Sequence, residues 1–389
     1  MRDALRFAVT PLAAAVLAGP VGAQVQGFSS GSNGSFGPID VAASTTLSLP
    51  IPGDGIFHAT SVNVAANATL SFQRNARNTP VHMLATGAVQ IDGTISLDAV
   101  DQTGVAGPGG FDGGGAGASG IPPGAGQGPG GGLGGNSNDN PGGAGQGGYA
   151  TRGSSPRSED GQIYGSPLLV PLLGGSGGGG ATSSLVGGGG GGAILIASDV
   201  SISLSGAGAI LARGGRGGGG ADNSGSGGAI RLLAPLVTTA GTLDVRDQPL
   251  APGNDTGGVG RVRVDAFTHG PGGTVMPFGL AVSRGSLMLV FPQPLPRLDV
   301  VEAAGTAIAI DSGPVQVVLP TGSPSAQQVV VRGSGFSAPV AIEVQITPEN
   351  GTPAVYPAVL DPATGPPAEV TVNVDIPANT PSFVHVWRR

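Results

Sequence analysis

The amino-acid sequence predicts an all-β protein: a glycine-rich parallel β-helix, a solenoid, over 24–272, followed by an antiparallel β-sandwich over 273–389. Three observations carry this prediction. Variants of one short phrase recur along the first part, glycine supplies 75 of the 389 residues and gathers in the middle, and past residue 267 the texture changes to short alternating strands divided by proline and glycine.

The recurring phrase gives the strands. IDVAASTTLSL (39–49) and VNVAANATLSF (62–72) match position for position, and VQIDGTISL (89–97), VSISLSGAGAIL (200–211) and LVTTAGTLDV (236–245) repeat the phrase with small changes of length. The first two copies start 23 residues apart and the third follows after 27, a period that suits stacked repeats better than a single globular core. Within each copy apolar residues alternate with small polar ones, which is the two-residue period of a strand. Leu47, Leu70, Ile95 and Leu243 should therefore share one inward column. A second phrase precedes the first: HATSVNV (from 58), LATGAVQI (from 84), AILIASDVSI (from 193) and AIRLLAPLV (from 229) each supply another short strand per repeat.

The first 23 residues read as a secretory signal. Arg2 and Arg6 precede an apolar run, and Val21-Gly22-Ala23 forms a small-residue cleavage site before Gln24. The run is shorter than the roughly 20 residues a bilayer needs and contains Pro11, which argues against a membrane anchor. The mature chain is expected to be secreted or held at the cell surface, with no transmembrane segment.

Composition removes several chemistries. The chain has no cysteine, and all 17 of its basic residues are arginine. Thiol nucleophiles, thiolate metal sites, Schiff-base catalysis and P-loop phosphate binding are thereby excluded. A net charge of −7 with 11% charged residues argues against nucleic acid as a partner, and no cofactor is expected.

Between 101 and 200 lie 37 of the glycines, densest at 174–180 and 187–192, as an insertion over about 99–192. Such a segment buries almost no side chain, and ordering it costs much backbone entropy. It is either a flexible excursion or a set of extended polyproline-II-like strands lying side by side. IYGSPLLVPLLGG (163–175) differs: its apolar cluster, broken by Pro167 and Pro171, predicts a plug folded over the solenoid, most simply over an end.

NTPVHMLATGAVQIDGTISL, GPGGFDGGG, the two dense glycine runs and GSGGAIRLLAP together resemble a group of uncharacterised secreted, glycine-rich bacterial proteins with a parallel β-helix-like repeat region. The likeness covers roughly 57–264. It implies export and a β-rich fold, and brings no activity with it.

Beyond 272, the alternating segments 286–291, 306–310, 315–320, 327–333, 340–349, 354–360, 368–377 and 382–388 predict seven or eight antiparallel strands. In pattern they resemble immunoglobulin-like modules of surface proteins. The proline-rich FPQPLPR (291–297) is the expected link.

No catalytic pair can be named. Asp92 and Asp98 flank one strand, Asp199 lies in a turn and Asp244 faces outward, yet no acidic cluster recurs on adjacent repeats, as glycan cleavage would require. His58 and His82 start neighbouring strands without a carboxylate between them, a weak basis for a metal site, and no metal is expected. Two outward columns remain as ligand-binding candidates. Thr46, Thr69, Thr94 and Thr242 occupy one place in the phrase, with Ser48, Ser71 and Ser96 two residues on, a hydroxyl ladder stepped at about 4.8 Å. Arg231 and Arg263 align on successive repeats with Arg261 beside them, which suits either an anionic glycan or pairing with Asp244 and Asp265. The sequence thus predicts an exported structural or adhesive surface protein without catalysis, its partner extracellular polysaccharide or a cell-surface component. The alternative is a carbohydrate-binding or carbohydrate-active protein, a lyase or hydrolase on the same scaffold; clustered acids would favour the enzyme, a smooth hydroxyl face the binder.

Overall fold

The computed structural model describes residues 27–135, 143–153, 158–182, 185–218, 223–247, 257–276, 282–291, 296–365 and 367–388, so the expected signal at 1–23 lies outside the described residues. The chain is all-β, with one large parallel sheet and two small antiparallel ones.

The parallel sheet is built in levels. The strands are β1 (Gly37–Val41), β2 (Thr46–Pro50), β3 (Ile56–Val64), β4 (Thr69–Gln73), β5 (Val81–Ala85), β6 (Val89–Ile91), β7 (Thr94–Ser96), β8 (Ala193–Ser198), β9 (Ser201–Leu204), β10 (Ala209–Leu211), β11 (Ala229–Asp244), β12 (Arg261–Met276) and β13 (Val282–Gly285). Every pairing among them is parallel. In one ladder Leu47 aligns with Leu70, Ile95, Ile210, Leu243 and Val275 in turn, one residue per level. A second ladder aligns Ile39, Val62, Val89, Ile202 and Val237, and a third aligns Phe57, Met83, Ile196, Leu232 and Val264. These inward columns make one continuous core. Alternation places them there: each apolar side chain is followed by a small polar one that the pleat turns outward.

One expectation is corrected. The pairings do not form open stacked sheets but return on themselves through β3, β5, β8, β11, β9 and β6, a closed six-strand barrel. The closure has a simple cause: β3 and β11 are long enough to serve two ladders, joining β5 and β8 by their first halves and β6 and β9 by their second.

The glycine-rich segment is ordered through its backbone. Within 174–180, the amides of Gly175 and Gly178 donate to the carbonyls of Gly191 and Gly188, those of Gly174, Gly177 and Gly180 to Gly109, Gln127 and Gly124, and that of Gly179 to Gly145. Every third residue thus faces the same side, the period of polyproline II. Packing at this distance leaves no space for side chains: a Cβ on Gly178 would overlap the Asn223 carbonyl, and one on Gly190 that of Gly175. The bundle is glycine because the neighbouring backbones occupy the space a side chain would need.

The apolar segment at 164–173 lies over the outer side of the third ladder, not over an end. Leu169, Leu172, Tyr149 and Tyr164, with Val290 and Phe291, pack on Leu84, Leu195, Ala197 and Leu233. At the other margin, residues 28–36 climb across the levels: Ser32 Oγ donates to the Ala59 carbonyl (2.9 Å), Ser30 Oγ to that of Ala85 (3.0 Å), and the Ser30 amide to the Asp199 carboxylate.

Because β13 pairs with β12, the parallel sheet extends to Gly285, past the boundary at 272 that glycine content suggests. The antiparallel part holds β14 (Arg297–Ala303), β15 (Thr306–Ala307), β16 (Ala326–Ser334), β17 (Val340–Pro348), β18 (Ala354–Leu360), β19 (Ala368–Asp375) and β20 (Ser382–Arg388). Four strands (β15, β14, β16, β19) and three (β18, β17, β20) form two sheets that share one core around Val329, Val331, Ile342, Val344 and Leu360. The expected strands at 286–291 and 315–320 are absent; 286–291 instead runs beside the third ladder, where Val290 and Phe291 cover it. Phe111 of the glycine bundle meets Trp387 edge-on at 5.4 Å, and Asn350 donates to the Pro122 carbonyl, joining bundle and antiparallel sheets.

Leu70 is fully buried in the middle of its column. Leu70→Asp should lower stability by about 4 kcal/mol or more, because it leaves an unpaired charge among apolar neighbours. Urea denaturation followed by circular dichroism measures this; a variant as stable as the parent would contradict the column.

Candidate binding face

The first ladder turns one side to the core and the other to solvent. On the outer side Thr46 aligns with Thr69, Thr94, Ala209, Thr242 and Thr274, so the candidates Thr46, Thr69 and Thr94 do stand on three successive levels. Thr274 extends the column and was not legible in the sequence, since the phrase has decayed to GGTVM there. Thr46 and Thr274 are exposed, and Thr69, Thr94 and Thr242 half-buried. Among the described residues none of these five hydroxyls forms a hydrogen bond within the protein. Ser48, Ser71 and Ser96 form the second column; Ser71 Oγ reaches the Leu47 carbonyl at 3.5 Å, and Ser96 accepts from the Asp98 amide at 3.5 Å. Each hydroxyl can donate one hydrogen bond and accept others, so the face offers both roles on every level but the fourth, where Ala209 and Leu211 stand.

At the corner leading into this face the turn length varies. Four residues (42–45, 65–68 and 205–208) join the strands on the first, second and fourth levels, but two, Asp92 and Gly93, on the third. The short turn leaves a notch of about 150 Å³, lined by Ala66, Asn67, Thr69, Asp92, Thr94 and Ala207 among others. Gln90 Nε2 donates to Asp92 Oδ1 at 2.8 Å, fixing the carboxylate on the notch floor. Outside the notch the second ladder carries its own polar column, Asp40, Asn63, Gln90, Ser203 and Thr238.

The arginine column differs from its expected setting. Arg231 and Arg263 do align, as the repeat predicts, but both are buried rather than outward to solvent. The overlying segments at 164–173 and 287–291 form a second layer over that side of the ladder. Asp265, itself fully buried, accepts from Arg263 Nε (3.0 Å) and Nη2 (2.5 Å) and from the Leu287 amide (2.9 Å), and lies 3.5 Å from Arg231 Nη2. Arg231 Nη2 donates to the Leu289 carbonyl at 2.9 Å, and burial pushes its guanidinium below the usual arginine range. Arg261 donates to the Tyr164 carbonyl (2.9 Å) and lies over the Tyr149 ring at 5.4 Å. Arg231, Arg261 and Asp265 fasten the cover to the ladder, and Arg263 pairs with Asp265.

The carboxylates are largely committed as well. Asp98 is bound by Arg213 Nη2 at 2.6 Å, Asp101 by Arg216, and Asp244, on the outer side of its strand but buried, by Arg246 Nη2 at 2.8 Å. His58 and His82 do not meet: His82 aligns with Ile56 and packs against Phe291, while His58 aligns with Leu84. Among the described residues no three His, Asp or Glu side chains gather as a metal-holding group, and no helix is long and apolar enough to cross a membrane. No family model matches the chain, and comparison with curated proteins and with solved structures gave no match.

Three buried groups set the response to acid. Burial lowers His82 and His385 from 6.5 to about 4, and raises Asp247 from 3.8 to about 7. Each histidine takes up its proton on unfolding, so its contribution is complete above about 6.5 and is lost as pH falls towards 4. Asp247 acts oppositely, and its contribution is lost as pH rises from 3.8 through about 7. Two groups against one leave a net loss of stability between pH 6.5 and 4. Thermal melts across this range should show it, His82→Leu should flatten it, and Asp247→Asn should steepen it; a melting temperature independent of pH in all three would contradict the assignment.

Proposed function

We propose that this is an exported, non-catalytic surface protein that holds neutral polysaccharide on the hydroxyl face of its first ladder. The observation that carries the reading is the column of five threonine hydroxyls, unbonded within the protein among the described residues, stepped at about 4.8 Å per level and interrupted once by Ala209. A stepped array of donors and acceptors suits a target that is itself a repeating chain of hydroxyls. A neutral target also agrees with the net charge of −7, since the aligned Arg231 and Arg263 are engaged beneath the cover. In this reading the two antiparallel sheets form an immunoglobulin-like sandwich that presents the parallel barrel and its hydroxyl face. The absence of catalysis is supported by the carboxylates: Asp98, Asp101, Asp244 and Asp265 are each held by arginine.

Replacing Thr46, Thr69, Thr94 and Thr242 together by Val keeps the shape and removes the hydroxyls. Affinity gel electrophoresis with neutral polysaccharides should show retardation of the parent lost in the fourfold variant, at unchanged melting temperature. Equal retardation of both would reject the face. Export has its own readout: protein recovered from the culture medium or cell surface should begin at or near Gln24, and an intact Met1 on that material would reject processing.

A further inference from the structure

We propose that the notch on the third level is a subsite for one sugar ring, in which Asp92 accepts two hydrogen bonds from the vicinal hydroxyls of a neutral pyranose. The inference rests on the polysaccharide reading above and adds where along the face a chain is gripped.

The notch exists because the corner on the third level is two residues shorter than the corners on the second and fourth levels beside it. Walls come from the four-residue turns above and below, Asn67 on one side and Ala207 on the other, and the floor is Asp92 with Gly93. A volume of about 150 Å³ is half the lower bound for drug-sized ligands of roughly 300 Å³, which suits a single ring and excludes an oligosaccharide lying inside. Its mouth opens on Thr69 and Thr94, the middle of the hydroxyl column, so a ring in the notch continues directly onto the face.

The donor set fits a diol. Gln90 Nε2 donates to Asp92 Oδ1, and among the described residues Asp92 forms no ion pair with arginine, in contrast to Asp98 and Asp101 just past β7 on the same level. A carboxylate presents two acceptor oxygens side by side, which matches two adjacent hydroxyl donors, and hydrogen bonds to an ionised acceptor are about twice as strong as neutral ones. Asn67, exposed at the rim, adds an amide that donates and accepts. With no cation in its lining, the notch disfavours an anionic sugar.

The test uses the full mature chain and yeast mannan, a neutral polysaccharide, in affinity electrophoresis and calorimetry, with the same mannan after periodate oxidation and borohydride reduction, which destroys vicinal diols. Parent protein should bind mannan and lose at least tenfold in affinity for the oxidised form. Asp92→Asn should lose about tenfold or more on native mannan. Asn67→Gly, which the positive φ of 59° at this position tolerates, should weaken binding less. Binding by Asp92→Asn equal to the parent, or equal binding of oxidised and native mannan, would overturn the subsite while leaving the hydroxyl face standing. Failure of the parent to bind mannan would overturn the subsite for this sugar, and failure across glucan, galactan and xylan too would overturn the polysaccharide reading as a whole.

Discussion

The structure depends on level-to-level register of parallel backbone. Because side chains alternate across a strand, one register fixes two columns at once: Leu47, Leu70, Ile95 and Ile210 inward, and Thr46, Thr69, Thr94 and Ala209 outward. A slip of one residue would exchange the two, exposing leucine and burying threonine. The core therefore enforces the order of the outer face, and the outer face needs no stabilising contacts of its own. The same constraint allows the notch, since a turn shortened by two residues leaves the strands on both sides in step.

Where the chain leaves this register it turns to a different solution. The glycine bundle has almost no side chains to bury, and backbone amides and carbonyls take over as the packing groups. Its edges are finished by ordinary side chains: the rings of Tyr149 and Tyr164 meet at 4.6 Å, tilted by 31°, within the cover, and Phe111 reaches the aromatic row of β20. The bundle thereby connects the parallel sheet to the antiparallel ones.

Much of this was legible in the sequence. Position-for-position repetition placed the inward column and the threonines, and the alternation after residue 326 located β16 to β20. Three features were not. The closure of the barrel depends on how far β3 and β11 run, and strand length is poorly marked where Ala-Thr and Ala-Pro breaks prove to be continuous. The burial of Arg231 and Arg263 depends on a second layer, and alternation reports only which side of a strand a residue occupies, not what lies above it. SLMLVF (286–291) reads as a strand because it is apolar, but a covering segment is apolar for the same reason; β14 went unseen because RLDVVEA begins inside the proline-rich link. The notch left a trace that was available: the third copy of the phrase is two residues shorter, at Asp92-Gly93.

The climbing segment at 28–36 has a mechanical consequence. Ser32, Ser30 and the Asp199 carboxylate tie it to three successive levels, along the stacking direction instead of along a strand. A pull on the chain at Gly27 is thus shared by several bonds loaded together in shear, and does not peel the terminal strand from the sheet one bond at a time. That geometry places resistance to a pull from this side in residues 28–36.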